Sequence, residues 1–495
     1  MAGGAVKRTK PHLVSDPLLD PLDKVHFISY SLVDGSLVSL ASQAANEAGK
    51  ADALSLYQQL LPAEFLDQVR KKAGIRENNR IYTIPVVMWL MIVQRLRSNA
   101  SQETAVLELL RGLPASFWPQ PCKRLQEWEE GKGKVSSYTG AYNKARQELP
   151  ASVVEQCCDR MFAQLIESAQ GKVAETGWRV FFLDGTSVRL PHTAALLETY
   201  PPGSNQHGAS HWPLLRMLVA HDLDTGLAMR PAWGPMNGPQ AVSEQGLWEG
   251  AIDRLPGGAV VSGDANFGVF SVAYAAVQRS HPVLLRLTLA RARRLARGPL
   301  TDGIDRQVDW KPSPDDRRSH PGLPPDACVR GRLIVCEVQP SDGSDAFLLC
   351  LFTTLDGGKD ELVKLYGKRW NIETDLRSLK GTLQLEQLTC HTPDMVAKEI
   401  DLALAAYNLV RAITYLASQK SGIAPRGYSF TRVRNVMNAF APLIAAAQSE
   451  AEARKHFDNM MYYVGQAKLP KRRRKRPSYP RAVWPKGQSF PRRKE

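Results

Sequence analysis

Two short apolar stretches decide the fold: WRVFFLD at residues 178–184 and GGAVVSGD at residues 257–264. Each has the length and the β-branched or aromatic content of a buried strand, and each ends in an aspartate, Asp184 or Asp264. Ligands of open α/β sheets bind beyond the carboxyl ends of the strands, so the two carboxylates are candidates for one site. Taken alone, each aspartate is also explained as a solvated strand end or a helix cap.

The segments around these strands predict an α/β core with a mixed sheet. A hairpin is indicated by LLRMLVAHD and LAMRPAW, which flank the turn at residues 223–226. Helices are predicted over residues 243–255 and 269–279, and PVLLRLTL at residues 282–289 predicts another strand. The order strand, hairpin, helix, strand, helix, strand is typical of an α/β domain.

The pattern changes on either side of this core. Residues 1–170 are predicted to be helical, which fits either a DNA-binding module or a plain helical domain. A segment rich in Pro, Gly, Asp and Arg at residues 296–331 is followed by a second hairpin, GRLIVCEVQ and AFLLCLFTT, so this block is expected to be a β-rich insertion. A long helix over about residues 360–383 comes next, and further helices follow.

Four polar side chains fall on one face of the predicted long helix. Tyr366, Arg369, Glu373 and Lys380 are offset by 0, 3, 7 and 14 residues, which at about 100° per residue puts them within about 60° of one another. Arg377 lies at the edge of this face. A glutamate flanked by cations is explained either by helical ion pairs or as a metal ligand beside groups that bind phosphates, and the spacing does not decide between them. A neighbouring aliphatic stripe is expected to pack on the sheet: Leu365, Ile372, Leu376, Leu379 and Leu383.

Two aspartates at strand ends and one glutamate on a helix across the sheet form a donor set for divalent metal. Mg²⁺ prefers oxygen ligands and keeps positions open for water and phosphate. Two such ions support an in-line phosphoryl displacement by activating the nucleophile and stabilising the leaving oxygen. A polyanionic substrate also fits the arginines and lysines around Glu373.

Most of the net charge of +15 sits at the carboxyl terminus. Residues 468–495 contain twelve Lys and Arg residues and one acid, a charge of +11. The tail is rich in proline and poor in aliphatic residues, so it is expected to be disordered. Such a tail gives salt-sensitive, sequence-independent DNA affinity, or it is a solvated tail with little role.

The remaining composition excludes several classes of protein. With 43% hydrophobic and 23% charged residues, the chain is globular in character. The longest apolar run covers ten residues, 84–93, where a membrane span needs about 20; it is predicted to be a buried helix. Seven cysteines without a CxxC pair indicate reduced thiols and neither a zinc site nor a disulfide framework. No secretory signal is visible, so a cytoplasmic protein without a membrane partner is expected.

The polar face of the long helix has the pattern Y-x2-R-x3-E-x6-K. It resembles the signature of bacterial DDE transposases of the insertion sequence 4 family, and the residue types and all three gaps agree. FLDGTSVRLP around Asp184 and VVSGDANFG around Asp264 look like that family's two aspartate motifs, which are weaker evidence. HTPDMVAKEIDLALAAYNLVR is similar to the stretch that follows the family's catalytic helix. The resemblance runs from about residue 175 to 420.

The resemblance implies an RNase H-like α/β catalytic core interrupted by the β-rich insertion. It implies that Asp184, Asp264 and Glu373 bind two Mg²⁺ ions, with Mn²⁺ as an alternative. The enzyme would act as a homodimer on paired transposon ends in double-stranded DNA, cut at the terminal inverted repeats and join the 3′-OH to target DNA. Tyr366, Arg369 and Lys380 would contact phosphates near the cleaved end, with Arg377 beside them.

Two further groups are candidates for DNA contacts. Some members of the family excise through a DNA hairpin in which a flipped base stacks on an aromatic residue of the insertion. Trp310 is the only tryptophan of this insertion, and its alternative role is ordinary packing. Arg291, Arg293 and Arg294 belong to a basic run that either follows the DNA channel or forms a solvated face.

The expected organisation has six parts. They are a helical, DNA-end-binding region (1–172), two parts of the core (173–290 and 357–420), the insertion (291–356), a C-terminal helical region (421–467) and a basic tail (468–495). Two alternatives remain open from the sequence. One is a transposase-derived DNA-binding protein without catalysis, and the other is a metal-dependent nuclease that does not join strands.

Overall fold

The computed structural model describes residues 52–76, 80–97, 101–113, 117–118, 120–169, 177–205, 208–340, 345–386 and 388–470. Almost all of the predicted basic tail, from residue 471 onward, lies outside the described residues. The fold class is confirmed at the level of an α/β core with a mixed sheet and helical regions on both sides of it.

Helices make up the described chain before the sheet. They are α1 (Ala53–Leu60), α2 (Ala63–Lys72), α3 (Ile84–Leu96), α4 (Gln102–Arg111), α5 (Lys123–Glu129), α6 (Gly140–Glu148) and α7 (Ala151–Ser168). Asp52 and Ser101 accept hydrogen bonds from backbone N–H groups at the starts of α1 and α4, as helix caps do. Pro85 lies in the first turn of α3, where no intrahelical N–H is needed. The predicted buried helix at residues 84–93 is confirmed, since Val86 to Val93 are buried.

A single eight-stranded sheet forms the core, in the order β5-β4-β1-β6-β7-β10-β9-β8. The strands are β1 (Val180–Arg189), β4 (Leu214–Asp222), β5 (Ala232–Pro235), β6 (Val260–Gly263), β7 (Val283–Arg286), β8 (Asp305–Trp310), β9 (Val329–Val338) and β10 (Phe347–Thr353). Two short strands, β2 (Ser204–Asn205) and β3 (Gly208–Ala209), pair separately. The helices among the strands are α8 (Ala194–Thr199), α9 (Trp248–Ile252), α10 (Phe270–Gln278), α11 (Leu289–Ala296) and α12 (Pro314–Ser319).

Strand β1 is longer than the sequence predicted. It pairs antiparallel with β4 along its length, as far as Arg189 opposite Leu214. Asp184 therefore lies in the middle of a strand, and its expected position at a strand end is wrong. The apolar run ends at residue 183, but backbone pairing with β4 does not need apolar side chains and carries the strand further.

The predicted insertion extends the same sheet instead of forming a layer of its own. β10 pairs antiparallel with β7, and β9 and β8 follow outward in antiparallel pairs. The predicted second hairpin is thus confirmed as β9 and β10. Helix α11 contacts all three of these outer strands.

The predicted long helix at residues 360–383 is wrong as one continuous element. Three segments replace it: α13 (Lys359–Gly367), α14 (Trp370–Arg377) and a π-helix (Ser378–Thr382). The break falls between the Tyr366 and Glu373 positions, so these side chains do not share one ideal helical face. The aliphatic stripe is nevertheless buried, since its five residues are at most 8% exposed.

Helix α15 (Pro393–Ser421) passes through the centre of the protein. It packs against α1, α3 and α7 on the N-terminal side and against the π-helix, a 3₁₀ turn (Pro425–Gly427) and the C-terminal helices α16 (Phe430–Ala446) and α17 (Glu450–Gln466). Among the described residues, it is the one helix long and apolar enough to cross a membrane, and that apolar stretch is fully buried inside the protein. Its apolarity is therefore that of a core helix.

Candidate active site

Asp184 and Asp264 come together through the register of two parallel strands. β1 and β6 pair as far as Phe182 opposite Ser262. Asp184 and Asp264 each come two residues after this last pair, so they lie at the same level of the sheet. β6 ends at Gly263, and Asp264 stands at the strand end as predicted. Because β6 ends at Gly263, it no longer covers its edge of β1 at Asp184, and this edge is open there.

Asp264 is close enough to Asp184 to affect the ionisation of Asp184. Burial raises the pKa of Asp184 to about 6, and the charge of Asp264 adds to the rise. Arg369 and the backbone N–H of Gly185, which donates to Asp184 Oδ1 at 2.9 Å, act in the opposite direction. Asp184 is therefore a carboxylate whose negative charge is only partly compensated by the protein.

A fourth carboxylate, Glu244, lies at this site and was missed by the sequence analysis. A Cβ atom built on Gly185 would lie 2.2 Å from Glu244 Oε1, so the carboxylate rests directly on the β1 backbone. Asn266 Nδ2 donates to Glu244 Oε2 at 2.8 Å, while the Asn266 backbone N–H donates to Asp264 Oδ1 at 2.8 Å. Glu244 fell inside the helix predicted over residues 243–255, and nothing in its spacing distinguished it from a solvated residue. That helix spans only Trp248–Ile252 in the structure, and Glu244 lies in the turn before it.

Glu373 lies on α14, which packs against β1. Its carboxylate accepts a hydrogen bond from Arg369 Nη2 at 3.0 Å, and its side chain is 33% exposed. Arg369 also lowers the pKa of Asp184. Its guanidinium is thus the cation shared by Glu373 and the aspartate side of the site.

Tyr366 reaches the second aspartate from the other side of the helix break. Its hydroxyl donates to the carbonyl oxygen of Gly263, the residue before Asp264, at 3.5 Å. Burial raises the pKa of Tyr366 to about 12, so the hydroxyl keeps its proton at neutral pH. Arg286, at the end of β7, hydrogen-bonds with it.

The three predicted arginines of the basic run lie on α11 and differ in position. Arg291 Nη1 donates to the carbonyl oxygen of Ala265 at 2.9 Å, directly beside Asp264. Arg293 and Arg294 are exposed. The structure therefore brings one of the three to the site and leaves two at the surface.

Lys380 and Arg377 differ in exposure. Lys380 is half-buried in the π-helix, one segment beyond Glu373, and Arg377 is exposed at the end of α14. Both lie C-terminal to Glu373, Arg377 on the same helix and Lys380 on the π-helix that follows it. Their predicted contacts with phosphates stay predictions.

Trp310 occupies a packing position. It ends β8, is 7% exposed, and meets the rings of Phe352 and Phe270 edge-on at centroid distances of 4.7 and 6.1 Å. A ring enclosed in this way has no free face for a base. Its position therefore favours ordinary packing over the base-stacking role.

The donor atoms are of the right kind for a hard cation, but they are not assembled. Within the described ranges, no three His, Cys, Asp or Glu side chains gather closely enough to hold a metal ion. Glu373 is instead paired with Arg369. All seven cysteines are free thiols, as expected.

Comparison with known proteins gives two findings. Residues 175–409 match the family described as Transposase DDE domain. The chain is also 27% identical over 362 residues to the protein named Transposase InsG for insertion sequence element IS4, from Escherichia coli (strain K12). That similarity covers 70% of this chain and 77% of the relative. The matched family region begins just before β1 and ends within α15, so it contains all four carboxylates.

Proposed function

Because the chain belongs to the DDE transposases of the IS4 type, we propose that it binds the terminal inverted repeats of its element, cuts there and joins the 3′-OH to target DNA. The observation that carries this is the meeting of Asp184 and Asp264 at the open side of β1, with the Glu373 helix packed on the same strand. An RNase H-like core is part of the proposal. It is supported by a first strand that lies between an antiparallel hairpin and two parallel strands.

The carboxylates fit a divalent metal in chemistry and in charge. The raised pKa of Asp184 reflects burial next to Asp264, and a dication with oxygen ligands would compensate that charge. Asp184, Asp264 and Glu373 would hold two Mg²⁺ or Mn²⁺ ions once Glu373 leaves Arg369. When bound, the ions supply Lewis-acid stabilisation of the attacking and leaving oxygens in an in-line displacement.

The residues around the acids have separate roles in this proposal. Arg369, released from Glu373, would bind a phosphate oxygen, because a planar guanidinium matches phosphate geometry. Lys380 and Arg377 would add charge along the same segment. Tyr366 and Arg291 hold the backbone on the two sides of Asp264, so their first effect is to fix that carboxylate and its loop.

The partners are proposed at the level of the DNA complex. Double-stranded transposon ends and target DNA are the substrates, and a homodimer would pair the two ends. The helices of the N-terminal region would bind the inverted repeats, and the protein would work in the bacterial cytoplasm at the nucleoid. A hairpin excision route stays a prediction, and the buried Trp310 does not support it.

The test is strand cleavage by Glu373→Gln. The substrate is a labelled duplex that carries the imperfect inverted repeat flanking the gene, with Mg²⁺ present. We expect cleavage and joining to be lost and end binding in the absence of metal to be kept, because the amide is nearly isosteric but uncharged. Glu386→Gln, an exposed acid beyond the π-helix, is the matched control and should remain active.

The outcomes separate the alternatives. Full Mg²⁺-dependent cleavage by Glu373→Gln would refute the assignment of Glu373. Tight end binding by the unaltered protein without any metal-dependent cleavage would favour a DNA-binding protein that lacks catalysis. Cleavage without joining of a 3′-OH end would favour a nuclease.

A further inference from the structure

A buried carboxylate lies on the opposite face of the helix that carries Glu373. Asp375 is two residues further along α14, and two residues on an α-helix point about 200° apart. Glu373 pairs with Arg369 and has a side chain that is 33% exposed, whereas Asp375 is 0% exposed. The helix therefore has one carboxylate in the site and one in the core.

Two arginines hold Asp375 from different parts of the fold. Arg426 Nη1 donates to both carboxylate oxygens, at 2.6 and 2.5 Å, and Arg411 Nη2 donates to Oδ1. The two guanidinium groups keep the pKa of Asp375 below its usual value despite complete burial. His221 Nδ1 is 3.8 Å from Oδ2, and burial lowers the pKa of that imidazole to about 4, so it faces the cluster as a neutral ring at physiological pH.

The same arginines are tied to the hairpin of β4 and β5. Arg426 donates to the carbonyl oxygens of Leu223 and Asp222 at 2.9 and 2.8 Å. Arg411 Nε donates to the hydroxyl of Tyr407 at 2.9 Å, and that hydroxyl donates to the carbonyl oxygen of Gly226 at 2.9 Å. Asp375 thus links α14 to α15, to the 3₁₀ turn and to the strand next to β1.

Gly226 shows how closely this cluster is packed. Its φ is +78°, and a Cβ atom there would lie 2.9 Å from Arg411 Nε. A side chain at this turn would therefore be strained in its backbone and would push the guanidinium away from Asp375. The turn predicted at residues 223–226 therefore connects the hairpin and also packs directly against Arg411 and Arg426.

Helix α14 has little to hold it in place by itself. It contains eight residues, begins directly after a break, lacks a side-chain cap at Arg369 and runs into a π-helix. Isolated helices of this length are marginal in water, so tertiary contacts fix their position. Ile372 and Leu376 supply apolar burial, but apolar contacts are not directional and leave rotation about the helix axis less defined.

We propose that Asp375 is a positioning residue for Glu373, acting through Arg411 and Arg426. The charged cluster fixes the rotation of α14 and so aims Glu373 at Asp184 and Asp264. This inference rests on the proposed function, in which Glu373 is a metal ligand. Groups that orient a metal ligand typically affect metal affinity or activity about 10–100-fold when they are removed.

The chain contains a matched control cluster. Glu399 on α15 is also buried and also held by two arginines, Arg95 Nη2 at 2.5 Å and Arg146 Nη2 at 2.8 Å. That cluster joins α15 to the N-terminal helices. Its Arg95 also donates to the carbonyl oxygen of Gln384, beyond the π-helix, at 3.4 Å, so the control variant replaces Arg146, which donates to Glu399. Arg146→Gln and Arg426→Gln each remove one arginine from a buried carboxylate and leave the second arginine in place.

The experiment compares these two variants in the full-length protein. It measures the thermal midpoint, end binding without metal, and the Mn²⁺ dependence and maximal rate of end cleavage well below the lower midpoint. For Arg426→Gln we expect the half-saturating Mn²⁺ concentration to rise, or the maximal rate to fall, about 10-fold or more, with end binding unchanged. Arg146→Gln should lower the midpoint but leave both metal-linked quantities within about twofold of the unaltered protein, since Glu373 keeps its support.

Two further variants complete the test. Arg426→Lys keeps the charge and should recover part of the metal response, which a purely steric role would not predict. Asp375→Asn should show the same defect as Arg426→Gln; if it fails to fold, the comparison rests on the Arg426 variants. Equal metal defects in Arg146→Gln and Arg426→Gln, or an unchanged metal response in folded Arg426→Gln, would overturn the positioning role.

The proposed function fails separately from this inference. An active Glu373→Gln would remove the metal-ligand assignment itself. An inactive Glu373→Gln together with a normal Arg426→Gln would leave the site as proposed and reject only the positioning role.

Discussion

Replacing Asp184 by Asn should abolish cleavage and, at the same time, stabilise the metal-free protein. The carboxylate of Asp184 is buried beside Asp264 and near Glu244, and burial with these like charges raises its pKa from 3.8 to about 6. Ionisation of this side chain therefore costs more free energy in the folded protein than in the unfolded one. The asparagine side chain of this variant would keep an oxygen for the Gly185 N–H and remove the charge.

The size and sign of the effect follow from proton linkage. The folded state binds a proton more tightly, so the stability of the unaltered protein falls as the pH rises from about 4 to about 6. Above that window the full cost is present, and a rise from 3.8 to about 6 corresponds to about 3 kcal/mol. We therefore expect Asp184→Asn to be more stable by up to about 3 kcal/mol at pH 7.5, and by less than about 1 kcal/mol at pH 4.

The assay is thermal and urea unfolding of both proteins in EDTA at the two pH values. A gain of this size should raise the unfolding midpoint of the core by several degrees, at about 2–4 °C per kcal/mol for a unit of 150–250 residues. Adding Mg²⁺ should stabilise the unaltered protein and leave Asp184→Asn nearly unchanged, because binding to the folded state is what stabilises. Asp309→Asn is the control, since its carboxylate is 58% exposed in a surface ion pair, and such pairs contribute little.

Two results would refute this reasoning. If Asp184→Asn is no more stable than the unaltered protein at pH 7.5, the carboxylate is not in an unfavourable place and the argument for a cation there is lost. If its gain is the same at pH 4 and pH 7.5, the stabilisation does not come from removing a charge.

Two further predictions concern DNA. Truncation after Pro470 removes most of the basic tail but keeps Leu469, whose N–H donates to the carbonyl oxygen of Gly427. The truncated protein should bind non-specific duplex DNA more weakly and with a smaller dependence on salt, because fewer counterions are released. Equal salt slopes for both proteins in filter binding would contradict a DNA role of the tail. Arg291→Met loses the hydrogen bond to the Ala265 carbonyl oxygen and should lower the rate of cleavage, whereas Arg293→Met, at an exposed position, should change mainly DNA binding. A gel assay of cleavage at saturating DNA separates the two effects. Identical losses of rate in both variants would contradict separate roles for the two arginines.

The sequence predicts the candidate site where an acidic residue directly follows a recognisable strand or belongs to a recognisable pattern. Asp184 and Asp264 each follow an apolar run, and the parallel register of β1 and β6 brings them to the same level. Glu373 was predicted from its place on one face of a predicted helix and from the residue types and gaps of the Y-x2-R-x3-E-x6-K pattern. The numbers of residues between these positions are the same whether or not the helix is straight. The pattern is therefore recognisable in the sequence despite the break between Gly367 and Trp370.

The parts that could not be predicted depend on contacts between distant segments. Asp375 and Arg411 look like ordinary charged residues in amphipathic helices, and only the packing of α14 on α15 makes them a buried pair. Glu244 lies in a turn, and it becomes a neighbour of Asp184 because Gly185 leaves room for it. The length of β1 was missed because strand pairing continues beyond the apolar run on which the prediction depended.

Arg369 explains why the acids can coexist without metal. Its guanidinium pairs with Glu373 and also lowers the pKa of Asp184, so one protein cation offsets charge on both sides of the site. In the proposed complex, metal ions would take over that compensation and free the guanidinium for the phosphate of the DNA end. Arg369→Gln should therefore tighten the binding of the metal to the free protein, because a competing cation is gone, and yet slow cleavage. Weaker metal binding by this variant, measured by Mn²⁺ titration without DNA, would show that Arg369 orients Glu373 instead of competing for it.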